Sequence, residues 1–303
     1  MRIVEGKPAT LNDIVINGND LTNERVIRRQ VFTYPGNLFS QTDFERSIRE
    51  IASMGQFDPE AIMGEGGYSI IPNPMDNTVD VVYNVTEKPS SQLELSGGWG
   101  GNTFVATVGV SFNNFSVRRV FEKKAWRPVP LGDGQTLAIR FQTNGTYYTA
   151  LSASFMEPWL TGKKPMSLSA SVYFTRQTNS YYYYLNDDEY MEVFGVAASL
   201  GSRLKWPDDY FVLYHELSYQ QYRLKDWNYN FLFNTGKSNN LSYKISLNRN
   251  STDQPVYPRT GSDMLFSVQL TPPYSLFRSD DTDYKTMTDQ EKYKWIEYHK
   301  IVI

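Results

Sequence analysis

Catalysis and metal binding need nucleophiles, paired acids or ligand clusters, and this chain of 303 residues offers few of them. It has two histidines, His215 and His299, and no cysteine. The histidines lie far apart with no spaced acids around them, which disfavours a metal site. Acidic runs at Asp187-Asp188-Glu189, Asp208-Asp209 and Asp280-Asp281 have the residue types that hydrolyse glycosides or hold Ca²⁺. Each sits in polar turn sequence, where solvated acids are the ordinary outcome. Gly97-Gly98-Trp99-Gly100-Gly101 would cradle a phosphate only ahead of a helix, and a strand pattern follows it. No enzymatic activity, metal or cofactor is expected. The chemistry left is main-chain hydrogen bonding along extended segments, offered wherever a strand edge is open.

The elements that carry such edges are written plainly. From Leu93 to Leu270 short segments alternate apolar residues with Ser, Thr, Gly, Gln or Lys, so that each strand has one apolar and one polar face. Met166, Leu168, Ala170, Val172 and Phe174 face one way, and Ser167, Ser169, Ser171, Tyr173 and Thr175 the other. About ten such strands are expected: 93–99, 104–112, 136–142, 147–155, 166–175, 194–201, 211–219, 241–247, 264–270 and a tenth from near Trp295. Most have 8 to 11 residues, about what a tilted strand needs to cross a bilayer. A soluble sandwich would break the alternation where its sheets cross; a membrane barrel keeps it on every strand and places rings at both ends. Tyr147, Trp159, Tyr173, Trp206, Tyr210 and Tyr219 lie near the expected strand ends, and Arg140 and Lys244 would face a watery lumen. The net charge of −3 gives no footprint for nucleic acid. The mean hydropathy of −0.48 speaks against a transmembrane helix and is silent on a barrel.

Before Leu93 lies a different unit. Residues 12–17 read as a strand ended by Gly18-Asn19-Asp20. Thr22 would cap a helix that runs toward Pro35-Gly36, and Ser40 or Thr42 a second one that ends at Gly55. Strands are expected at Tyr68–Ile71 and Val79–Glu87. With Ile14-x-Ile16-x-Gly18-Asn19, Val26-Ile27-Arg28-Arg29, Pro35-Gly36-x-x-Phe39 and Gly55-x-Phe57-Asp58-Pro59, the unit resembles a POTRA domain. That resemblance implies a three-stranded sheet covered by two helices. One open edge, usually the second strand and here Tyr68, Ser69, Ile70 and Ile71, would accept an extended client.

The remainder is similar to the BamA family of outer-membrane protein insertases, in the versions found in Bacteroidota. The residues are Leu93-Glu94-Leu95-Ser96-Gly97-Gly98-Trp99-Gly100, Phe112-Asn113-Asn114-Phe115-Ser116, Glu157-Pro158-Trp159-Leu160 and Asp253-x-x-x-Tyr257-Pro258-Arg259-x-Gly261. The expected fold is an α+β POTRA domain at 12–88, after a linker at 1–11, and then an all-β antiparallel transmembrane barrel over 89–303. That barrel would hold about ten of the family's sixteen strands. One POTRA, no Val-Arg-Gly-Phe motif, no leader and an end at Ile303 in mid-pattern read as an internal piece of a longer protein.

The resemblance implies an outer-membrane insertase with its POTRA in the periplasm. Its partners would be unfolded outer-membrane proteins, accessory lipoproteins and the lipid bilayer. Clients would pair at a weak seam on the first strand, Leu93 to Trp99. Odd-numbered strands then run outward. The basic stretch Arg118, Arg119, Lys123, Lys124, Arg127 and the turn at Tyr257, Pro258, Arg259 and Gly261 become periplasmic. The segment 177–190 with its run Tyr181 to Tyr184, and the loops near 225–239 and 272–290, become external. Two other readings stay open: an exporter of the two-partner secretion type, and a soluble or surface β-protein that binds glycans through tyrosines.

Overall fold

The computed structural model describes residues 8–100, 103–162, 164–179, 188–227, 231–252, 257–277 and 285–303. Gly101, the run Tyr181 to Tyr184, Asp187, Asp253, Asp280 and Asp281 lie outside the described residues. The chain forms two compact units, one of 1–92 with 112–136, the other of 93–111 with 137–303.

In the first unit β1 (Thr10–Asn17), α1 (Glu24–Arg28), α2 (Gln41–Ser53), α3 (Pro59–Met63), β2 (Tyr68–Asn73) and β3 (Thr78–Asn84) follow in order. The sheet order is β1-β3-β2, with β1 parallel and β2 antiparallel to the central β3. Val79, Val81 and Tyr83 of β3 point into a core with Leu11, Ile14, Ile27, Phe44, Ile48, Ile51 and Phe57. The apolar residues of α2 recur at helical spacing, so Phe44, Ile48 and Ile51 meet this sheet together. Burial pushes the Tyr83 phenol above its ordinary pKa, and contact with Thr33 and Ser47 partly offsets the cost.

Three local expectations need correction. The first helix is one turn, ended at Arg28, and its N-cap is Asn23. Thr22 is instead buried, where its hydroxyl accepts from Asn114 Nδ2 at 2.8 Å and its amide donates to Glu87 Oε1 at 2.6 Å. The Ser40 cap on Asp43 N is as expected, but α2 ends on Met54 in an extended conformation, and Gly55 adopts no left-handed turn. The third helix, α3, was not expected. Asp58 accepts from Glu60 N at its start and Pro59 presets φ there, so the signal was present in Asp58-Pro59.

The second unit is built on one ten-stranded sheet in sequence order. Its strands are β4 (Ser91–Gly100), β5 (Thr103–Phe115), β6 (Gln135–Asn144), β7 (Tyr148–Glu157), β8 (Met166–Thr178), β9 (Tyr190–Arg203), β10 (Phe211–Lys225), β11 (Gly236–Asn250), β12 (Asp263–Leu270) and β13 (His299–Val302). β10 and β11 reach 15 residues, longer than expected, because the ladder continues past the apolar alternation into Gln, Asn, Lys and Arg. The tenth strand starts at His299. Trp295, before it, bridges to Asn239 and stacks on Tyr274.

Burial in this sheet is inverted relative to a soluble protein. Phe194, Val196 and Leu200 are exposed, while Gly195 between them and Val193 just before them are buried. On β11 Tyr243 and Ile245 are exposed and Ser238, Asn240, Ser242 and Ser246 buried. A sheet that shows its apolar residues and packs its hydroxyls suits lipid on one face and a polar interior on the other. On the polar face Tyr173 covers Gly195, where a Cβ would lie 2.3 Å from its ring, and its hydroxyl accepts from Gln220 at 2.6 Å. Tyr173 is therefore an interior residue of β8 and not a strand-end anchor, whereas Trp206 and Tyr210 stand exposed just before β10.

Candidate functional site

Among the described residues the edge strands are β1 and β2 in the first sheet and β4 and β13 in the second, and the expected pairing segments lie on two of them, β2 and β4. β2 has a single neighbour, β3, and all six of its residues are exposed. Pro72 lies opposite Val79 and has no N–H to offer, so Tyr68, Ser69, Ile70 and Ile71 form the part of β2 able to add a full strand.

β4 is one edge of the ten-stranded sheet, and Ser91 through Trp99 are exposed, Leu93 at 64%, Leu95 at 67% and Trp99 at 77%. Glycine is used differently here than elsewhere. A Cβ at Gly98 would meet nothing within 4 Å, and one at Gly97 would make ordinary contact with the Phe104 ring at 3.6 Å. Neither has a φ that needs glycine. With no steric or conformational demand, what these glycines supply is a weak strand, short of the cross-strand side-chain pairs that stabilise a sheet. A side-chain tether reaches β4: Arg140 Nη2 of β6 donates to Glu94 Oε1 at 2.9 Å. The pair reaches over Gly109 of β5, where a Cβ would stand 3.2 Å from the Glu94 carboxylate. Arg140 thus faces the polar side as expected but has a partner, which sequence reading did not foresee.

The turn at Tyr257, Pro258, Arg259 and Gly261 joins β11 to β12. Tyr257 is 87% exposed with φ 56°, and Gly261 has φ 98°, where a Cβ would fall 2.2 Å from the Ser251 carbonyl oxygen. Ser251 N donates to Ser262 O at 2.9 Å and closes the turn. Only glycine fits that approach.

The connection between β5 and β6 holds a polar cluster that no spacing announced. Ser116 Oγ donates to Asp133 Oδ2 at 2.7 Å, Asn23 Nδ2 to Oδ1 at 2.9 Å, and Arg25 makes a close ion pair with the same carboxylate. Arg29 Nη2 donates to the Asp133 carbonyl at 3.1 Å, and Asn114 Oδ1 accepts from Gly134 N at 3.0 Å. Burial would raise the Asp133 pKa, but the bonds from Ser116, Arg25 and Asn23 together with the Arg25 charge outweigh it and hold the carboxyl below its usual range. The cluster pins residues 112–136 to α1 inside the first unit. In the basic stretch, Arg119 donates to Glu122 Oε2 at 3.0 Å and to the Leu131 carbonyl at 2.9 Å.

His215 Nδ1 and the Tyr243 hydroxyl are 2.6 Å apart on the exposed face, and among the described residues no cluster of His, Asp and Glu could hold a metal ion. The fold is that of a POTRA domain followed by part of a transmembrane antiparallel β-barrel. Residues 9–88 match the POTRA model, described as a surface antigen variable number repeat, and residues 130–303, more than half of the chain, match the Omp85 superfamily domain. The chain belongs to the Omp85 superfamily.

Among curated relatives it is similar to the outer membrane protein assembly factor BamA of Neisseria meningitidis serogroup B, at 27% identity over 57% of this chain and 19% of that protein. It is also similar to a putative outer membrane protein assembly factor of Treponema pallidum, at 24% identity over 53% of this chain and 17% of that one. It thus spans under a fifth of the length of these relatives. Among solved structures, BamA from Haemophilus ducreyi lacking POTRA domains 1–3 superimposes with a TM-score of 0.57 and 19% identity, over 88% of this chain and 49% of that one.

Proposed function

We propose that this chain is the POTRA-and-barrel core of an insertase that folds β-barrel proteins into the outer membrane of a Gram-negative cell, with its POTRA domain in the periplasm. An unfolded outer-membrane protein first adds a strand to Tyr68–Ile71 on β2. It then pairs with the outer edge of β4, which supplies template hydrogen bonds where lipid offers none. Accessory outer-membrane lipoproteins would be partners of the intact assembly. The observation that carries the reading is β4: an exposed edge strand whose Gly97 and Gly98 have room for side chains and bear none. The names of the relatives, assembly factors, agree with it.

Depletion of the intact protein from its cell tests this reading. Loss of many unrelated outer-membrane barrels is expected, with their unfolded forms accumulating in the periplasm. Loss of one secreted protein, with the barrel population unchanged, would instead identify an exporter of the two-partner type.

A further inference from the structure

Strand register brings together a charged row that is invisible in sequence. Arg176 of β8 lies opposite Glu192 of β9, Glu192 opposite Arg223 of β10, and Arg223 opposite Lys237 of β11. The row crosses four strands on the exposed face, in line with Phe174 and Phe194 below it. Glu192 lies within 3.6 Å of Arg176 Nη1 and 3.8 Å of Arg223 Nη1, so among the described residues of the row one carboxylate faces two guanidinium groups, and the row carries three cations. One step farther out are Tyr190 and Lys225. The Tyr190 ring stands 4.7 Å from the Arg176 guanidinium and 6.0 Å from that of Arg223, and Lys225 pairs with Asp188 at 3.1 Å. The nearby short helix α4 (Asp289–Lys292) has its own acids engaged, Asp289 by Lys292 and Glu291 by Thr288.

The position of the row decides its meaning. Strand order puts it at the end of the sheet where β8 closes and β9 begins. From Met166, near the other end of β8, to Arg176 is ten residues; at about 3.3 Å each and a tilt of about 40° this spans about 25 Å, the height of a barrel's apolar band. The cations therefore stand at headgroup level, with Tyr190 as an interfacial ring. At the opposite end the outward cation Arg249 is matched by Asp208, with contacts of 2.9 and 3.0 Å.

We infer that Arg176, Arg223 and Lys237 bind the phosphate groups of an anionic lipid in the outer leaflet, its acyl chains lying along Phe174, Phe194 and Val196. Guanidinium groups suit phosphate by paired N–H donors, and three cations on one row match an amphiphile bearing two phosphates. The inference rests on the barrel reading.

The test reconstitutes the intact protein in nanodiscs that contain bis-phosphorylated lipid A, and native mass spectrometry counts the molecules retained on the protein. The Arg176→Gln/Arg223→Gln/Lys237→Gln variant is expected to lose retention at least tenfold, and Glu192→Gln to increase it several-fold. Gel mobility with and without heating shows that each variant is folded. Equal retention by wild type and triple variant overturns the inference, as does equal retention of dephosphorylated lipid A. Displacement of lipid A by inorganic phosphate at equal concentration would reassign the row to a free anion and overturn it too. Failure of the protein to enter nanodiscs at all would instead overturn the barrel reading.

Discussion

Valine at both Gly97 and Gly98 is expected to leave the barrel folded and to reduce client insertion by at least tenfold. The two positions accept a side chain: one has open space and the other an ordinary contact with Phe104. Each replacement removes the backbone entropy cost of glycine and adds a β-branched residue, about 1 kcal/mol per position. Together they favour the strand that closes the outer edge of β4 in the intact barrel by about 2 kcal/mol, roughly a thirtyfold shift in equilibrium against a client that must displace it. Reconstituted insertion of a small barrel client, followed by its protection from protease, measures the loss. Full insertion by a folded double variant would mean that these glycines serve only the hairpin after β4.

Asp133→Ala is expected to destabilise the first unit by about 2–3 kcal/mol. Arg25 is more than half exposed, so its ion pair contributes little of this. Most of the loss comes from leaving the buried Ser116 hydroxyl and the Asn23 amide without their charged acceptor. Hydrogen exchange in the intact protein reads it directly: amides of 112–136 should lose protection while those of α2 keep theirs. Because the folded pKa is lowered, the contribution of Asp133 is fully present above the ordinary aspartate value near 3.9 and fades as pH falls through the lower folded value. The wild type should therefore show a step of lost protection in that acid window that Asp133→Ala lacks. Unchanged exchange in the variant would remove Asp133 from any role in holding the connection.

What could be read in advance follows from the range of the signals. Alternation is local, so Met166 to Phe174 and Phe194 to Leu200 announced both the strands and the inversion of their faces. It fades where strands leave the lipid band, which is why the outer halves of β10 and β11, Gln220 to Lys225 and Gly236 to Asn240, were missed. Asp58-Pro59 was a readable helix start passed over because the helix after it has five residues. The Asp133 cluster joins residues more than a hundred positions apart, and the row of Arg176, Glu192, Arg223 and Lys237 exists only through register, which no single strand encodes. The β2 and β4 edges were legible as segments. That both are sheet edges is a property of topology alone.

The central claim is that a client strand pairs with the outer edge of β4. The chain has no cysteine, so a single cysteine introduced from Leu93 to Trp99 is unique within it. Disulfide formation with single cysteines along the terminal strand of a client stalled on the intact protein reads the pairing. Strong cross-links at one antiparallel register, shifting by one residue on the client for each residue on β4, are the predicted result. No cross-links on β4, with capture instead by cysteines on the polar face such as Lys244→Cys, would contradict it and describe a substrate threading the lumen.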